Sequence, residues 1–159
     1  MEIEAFNDRF SKMVENVINN EVLNQIGDEM VSSIQNRTRL GDGVSAMGSV
    51  KSKLAPLSPN YIRMRESHLQ SIMWGLARTR LSHLTLTGQM LSSIDYEISR
   101  NGVILKFNNE KALEKAQWAH AGYDNRPQRP FFFLSNLDQK RVKLLLEEAF
   151  DKYLLENFN

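Results

Sequence analysis

Between Ile94 and Phe107 the sequence reads IDYEISRNGVILKF, and no other stretch leaves the chain so few ways to fold. Ile94, Tyr96 and Ile98 alternate with Asp95, Glu97 and Ser99, and Val103, Leu105 and Phe107 alternate in their turn. A period of two collects each apolar set on one face of a strand. Asn101–Gly102 between them is a dipeptide of the favoured hairpin type. The spacing therefore predicts a half-buried β-hairpin with its turn at Asn101–Gly102.

Elsewhere the period is helical. Ile3, Phe6, Phe10, Met13 and Val17 step by three and four, and the pattern resumes after Asn19–Asn20 with Leu23, Ile26, Met30 and Ile34. Residues 1–36 read as one bent helix or two in succession, with Gly27 weakening the second part. At the other end, Ser135 or Asn136 caps a helix to about residue 155. Leu137, Val142, Leu145, Ala149 and Tyr153 form its apolar face, widened by Leu146, Phe150 and Leu154. A short helix is expected over 110–119 and a helical turn around Gln89–Ser93.

The middle is different. Residues 41–53, GDGVSAMGSVKSK, hold three glycines and no sustained periodicity, and read as a mobile loop. Ser58 is a fitting N-cap with Pro59 at the first helical position. A basic helix follows, with Leu69, Ile72, Met73 and Leu76 on one face. The whole reads as one α+β domain over 1–159: a small antiparallel sheet packed by long N- and C-terminal helices, with a long basic loop and helix inserted. Its segments are the N-terminal helical part (1–36), the basic loop and helix (41–83), and the hairpin, strand and C-terminal helix (84–159).

Charge is segregated along this plan. Residues 1–35 carry seven acids against two bases, residues 36–83 eight bases against two acids, and the remainder ten of each. One copy's acidic end can pair with another's basic middle, or the middle can face a polyanion. The 159 residues contain no cysteine, which removes disulfides, thiol nucleophiles and thiolate metal sites. No apolar run approaches the ~20 residues of a membrane span, and the acidic, amphipathic N-terminus does not read as a secretory signal. An intracellular setting fits, with no membrane partner.

Catalytic signatures are missing: there is no GxGxxG, Walker A, HExxH or GxSxG. His68, His83 and His120 lack metal-ligand spacing, and Glu147–Glu148 are neighbours on a helix rather than partners across a cleft. The expectation is no enzyme, no cofactor and no metal. Clustered Arg37, Arg39, Lys51, Lys53, Arg63, Arg65, Arg78 and Arg80, with Tyr61 and Trp74 among them, are candidates to face DNA or a neighbouring protein. No named nucleic-acid module matches them.

Near the end stands HAGYDNRPQRPFFFLS, His120 to Ser135. Phe131 and Phe133 would point one way in a strand and Phe132 and Leu134 the other, so FFFL reads as a short strand buried on both faces. Arg126 and Arg129 would sit at its rim, available to a carboxylate or phosphate. Together with LAPLSPNY (Leu54–Tyr61), LTLTGQMLSSIDYEI (Leu84–Ile98) and QIGDEMVSSIQNR (Gln25–Arg37), this stretch resembles the bacteriophage virion-morphogenesis or tail-completion proteins, over roughly residues 25–155. The sequence departs from that pattern at His120-Ala121-Gly122, where the aromatic Tyr123 follows the glycine, and in the longer, more basic 62–83.

The resemblance implies a noncatalytic structural protein of the virion, assembled in the host cytoplasm, that completes the tail or neck and joins head to tail. It implies a ring of identical subunits, a hexamer or a multiple of one. Its partners would be portal-side neck proteins and the tail terminator or tail tube, with nonspecific contact to DNA open. The alternatives are a tail-terminator ring, or a nonspecific nucleic-acid-binding module using the basic segment over 37–80.

Overall fold

A computed structural model describes residues 11–44, 51–69, 88–99 and 102–158. Residues 11–17 are helical, and α1 (Asn20–Arg39) follows at once. The join is a cap. Asn19 is extended, and its side-chain oxygen accepts from the Val22 amide at 3.1 Å. Two helices in succession, not one bent helix, is therefore the outcome at Asn19–Asn20.

After α1 come β1 (Asp42–Val44), β2 (Lys51–Lys53), α2 (Pro59–Leu69), α3 (Gln89–Ser92), β3 (Ile94–Ser99), β4 (Gly102–Phe107), α4 (Glu110–Ala121) and α5 (Asn136–Phe158). The fold is α+β, with long helices toward both termini covering the strands. Among the described residues the strands form two separate antiparallel pairs, β1–β2 and β3–β4.

In the β3–β4 hairpin Ile94 lies opposite Phe107, Tyr96 opposite Leu105 and Ile98 opposite Val103, so the alternating set faces one way. The turn differs from expectation by one residue. Gly102 is already paired with Ser99 and belongs to the strand. α1 packs across this face, and Gly27 sets how closely: a Cβ there would lie 2.5 Å from the Tyr96 ring. The residue that costs intrinsic helix propensity is the one that lets helix and strand meet.

Two clusters form the interior. One gathers Ile34 of α1, Leu54, Met90 and Leu91 of α3, Ile94 of β3, Ala116 of α4 and Phe131. The other sets Val22, Ile26 and Met30 of α1 against Val142, Leu145, Leu146 and Ala149 of α5 and Val103 and Leu105 of β4. The buried α1 stripe begins with Val22, while Leu23 is half-buried. On α5, Leu137 and Leu154 were expected on the apolar face, yet are 56% and 45% exposed. Their places on the helix turn them away from the Val142–Leu145–Ala149 seam.

Two expectations are overturned. The stretch 41–53 is not a loop throughout, because its ends pair as β1 and β2 with Asp42 opposite Lys53 and Val44 opposite Lys51. Three-residue strands are too short to show a period in sequence. The FFFL segment, in turn, forms no strand. Phe131 is fully buried and Phe132 half-buried against Phe107, whereas Phe133 and Leu134 are 36% and 39% exposed. The chain there irregularly follows the body, joined to β1 by Val44 N–H donating to Pro130 O at 2.8 Å. Ile3, Phe6, Phe10, Ile72, Met73, Trp74, Leu76, His83, Arg78 and Arg80 lie outside the described residues, as does the centre of the 41–53 stretch.

Candidate interaction surfaces

The basic residues do not form one surface. Arg37, expected to face DNA or a neighbour, is 6% exposed and turned inward from the last turn of α1. Its guanidinium donates to Asp138 Oδ2 at 2.5 Å, to Phe131 O at 3.0 Å and to Phe133 O. Asp138 is itself fully buried. It also accepts from Ser33 Oγ and from the Ser135 amide, while Ser135 Oγ accepts from the Asp138 amide at 3.1 Å. Ser135 and Asp138 form a reciprocal capping pair at the start of α5. A single carboxylate thus ties the end of α1 to the start of α5 and, through Arg37, to the carbonyls of the phenylalanine run.

The two charges balance differently. Burial pushes the Asp138 carboxyl up, but the hydrogen bonds from Ser33 and Ser135 together with the Arg37 charge leave it below its ordinary value. For Arg37 burial dominates and lowers its pKa, opposed by the charge and hydrogen bond of Asp138; guanidinium groups stay charged in proteins. The pair is ionic, and its job is structural.

Arg129 is the second inward correction. Its Nε donates to Ala55 O and a terminal nitrogen to Pro56 O, each at 3.1 Å, and its own amide donates to Ala119 O at 2.8 Å. It clamps the strap of residues 54–58 onto the body instead of waiting at a rim. Leu54 is buried, and Leu54 N–H donates to Gly41 O at 2.8 Å. Lys53 is ion-paired with the largely buried Asp42.

The outward candidates are fewer. Arg39 and Arg126 are exposed, and Arg63 on α2 is exposed with a hydrogen bond to Asn60 Oδ1 at 2.5 Å. Lys51 and Arg65 are placed by their backbones in β2 and α2. α2 starts as expected: the Tyr61 amide donates to Ser58 Oγ at 3.3 Å and the Ile62 amide to Ser58 O at 2.9 Å.

Two further surfaces went unread in the sequence. Between α1 and α5 runs an open groove of about 530 Å³, lined by Gln25, Asp28, Glu29, Ser32, Arg141, Leu144 and Leu145. Arg141 pairs with Glu29 at 2.6 Å, and Leu144 is 55% exposed. At the end of α4, Trp118 and Tyr123 stack with ring centres 5.2 Å apart, 41% and 55% exposed. The turn after them is closed by the Arg126 amide donating to Tyr123 O at 3.0 Å, with Asp124 and Asn125 both at positive φ. Asp and Asn tolerate that conformation best after glycine.

His120 sits behind this turn, its ring 4.6 Å from that of Phe133, and burial lowers its pKa. Among the described residues no group of three or more His, Asp or Glu could hold a metal ion, and no helix is long and apolar enough to cross a membrane. The chain matches no known protein family, no curated protein and no solved structure.

Proposed function

We propose that this chain is a structural protein of a tailed-phage virion, completing the tail or neck and joining head to tail as a ring of identical subunits. One observation carries the reading. The four stretches that resemble the tail-completion proteins are far apart in sequence, yet they meet in one core and its clamps. QIGDEMVSSIQNR supplies Ile34 and Arg37, LAPLSPNY supplies Leu54, LTLTGQMLSSIDYEI supplies Met90, Leu91 and Ile94, and HAGYDNRPQRPFFFLS supplies Arg129 and Phe131. Because the four stretches share one interior, they are read together as parts of one fold, which supports the resemblance.

The basic residues add to this. With Arg37 buried and Arg129 bonded to backbone carbonyls, the described positive surface is thinner than the sequence count, which weighs against a dedicated DNA-binding face. On this reading the surface serves subunit contacts and contacts to the neighbouring neck and tail rings. The test is deletion of the gene from the genome that encodes it, with electron microscopy of the lysate. DNA-filled heads lying beside separate tails are expected. Intact infectious particles, or a genome with no tail genes, would overturn the reading.

A further inference from the structure

We infer that the exposed face of α5 pairs with the same face of a second copy of this chain, antiparallel and about a two-fold axis. The inference goes beyond the ring reading and does not rest on it, since a ring needs a head-to-tail contact through other surfaces.

α5 is apolar on two faces. Its Val142–Leu145–Ala149 seam packs against Val22, Ile26 and Met30 of α1. Leu137, Leu144 and Leu155 form a second stripe. With 3.6 residues per turn they fall within about 20° of one line along the helix, roughly 110° round from the seam. Each is more than half exposed. A surface helix carries one apolar stripe, toward its own core. The second is a patch that asks for a cover from outside the chain.

The charges beside the stripe say what that cover is. Lys140, Arg141 and Lys143 fall in the first half of α5, where the one acid, Asp138, is buried. Glu147, Glu148, Asp151 and Glu156 fall in the second half, with Lys152 as the lone base. The helix dipole favours bases near the C-terminus, yet the last turn of α5 carries none. The order is not used up inside the chain either. Arg141 holds Glu29 and Lys143 holds Glu147, whereas Lys140, Glu148 and Asp151 belong to no ion pair among the described residues. A helix positive at its start and negative toward its end attracts a reversed copy of itself and repels a parallel one.

The register follows from helix geometry. Arg141 and Glu148 flank the leucine line on one side, Lys140 and Asp151 on the other, and all four are exposed. A two-fold axis brings each side of the line against the same side of the other copy. With the axis level with Leu145, Lys140 meets the partner's Asp151 and Arg141 meets the partner's Glu148. Leu137 meets the partner's Leu155, and the two Leu144 side chains flank the axis. Every one of these pairs lies level to within about 3 Å along the helix. Such a contact is isologous, so it closes at two copies.

The experiment is sedimentation velocity on the full chain, from about 1 μM to about 1 mM. The parent should pass from monomer to dimer and stop there. K140E and D151K each set like charges opposite one another twice, once on either side of the axis, and should weaken the dimer by about tenfold or more. Leu144→Gln should weaken it similarly by removing the central leucine contact. The double variant K140E/D151K reverses both partners and should dimerise like the parent. An equimolar mixture of K140E and D151K should do the same, each copy pairing with the other kind. Circular dichroism should show one helicity and one melting midpoint for all of them, and Lys140→Gln or Asp151→Asn would replace any variant that fails this check. If the parent stays monomeric throughout, or assembles only into larger rings, the inference fails while the ring reading, tested in the lysate, is untouched. If the parent pairs and K140E, D151K and L144Q pair equally well, another face is used and the inference fails. If the single reversals weaken the dimer but neither the double variant nor the mixture recovers it, the antiparallel pairing is overturned.

Discussion

Arg37 and Arg63 come from the same base-rich third of the sequence and look alike in it, but the fold uses them in opposite ways. Arg37 is 6% exposed and gives its hydrogen bonds to a buried carboxylate and two backbone carbonyls. Arg63 is exposed, and its hydrogen bond among the described residues goes to Asn60, three residues back on its own helix. Counting basic residues therefore overstates the surface charge. A buried guanidinium offsets its desolvation only through several good partners at once, and removing one partner leaves a charge stranded. A solvated one contributes almost nothing to stability and remains available to another molecule.

The sharpest way to break this contrast is Arg37→Ala. It strands Asp138 in the interior and frees the carbonyls of Phe131 and Phe133, and should destabilise the fold by about 3–5 kcal/mol. Urea unfolding followed by circular dichroism would measure it, and a loss below about 1 kcal/mol would show that the stitch is not structural.

Acid probes the same node. The folded Asp138 carboxyl lies below its ordinary value, so its contribution is complete above the ordinary carboxylate range and is lost as pH falls from that range to the lower folded value. His120 adds an earlier and smaller step. Its folded pKa is below 6.5, so the stability it contributes is present above 6.5 and drains as pH drops from there toward the folded value. The urea midpoint against pH should fall in two stages, and His120→Gln should remove only the upper one.

Gly27→Ala tests packing where no charge is involved. Its new methyl would lie 2.5 Å from the Tyr96 ring, which also donates from its hydroxyl to Asn24 Oδ1 at 3.0 Å. The ring must move or α1 must lift, at about 1–3 kcal/mol, although alanine is the better helix former. A more stable variant would mean that α1 does not sit on β3. Ser135→Ala should cost about 1 kcal/mol, the weight of one cap, and less than Arg37→Ala because Asp138 keeps its other donors.

The parts of the molecule that were legible are those governed by a local period. The hairpin face, the Ile26–Met30–Ile34 stripe, the Ser58 cap and the Val142–Leu145–Ala149 face each follow from spacing alone. What escaped depends on residues distant in the chain. Arg37 gives no sign in sequence that its partner lies 101 residues away, and the FFFL run resembles a doubly buried strand because composition cannot show that only Phe131 reaches the core. One signal was available: Ser135-Asn136-Leu137-Asp138 has capping-box spacing with Asp in the third position. The α1–α5 groove had no such signal, since its walls come from opposite ends of the chain.

Arg63→Ala completes the contrast from its weak side. With one hydrogen bond among the described residues, to a neighbour on the same exposed turn, Arg63 should change unfolding free energy by less than about 0.5 kcal/mol. That small number separates a solvated guanidinium from one that stitches the fold together. The reading of the two arginines requires both halves: Arg37→Ala unfolds the chain more easily, and Arg63→Ala leaves urea unfolding nearly untouched. If Arg63→Ala were instead the destabilising change, that guanidinium would be holding α2 to the body, and the contrast with Arg37 would fail.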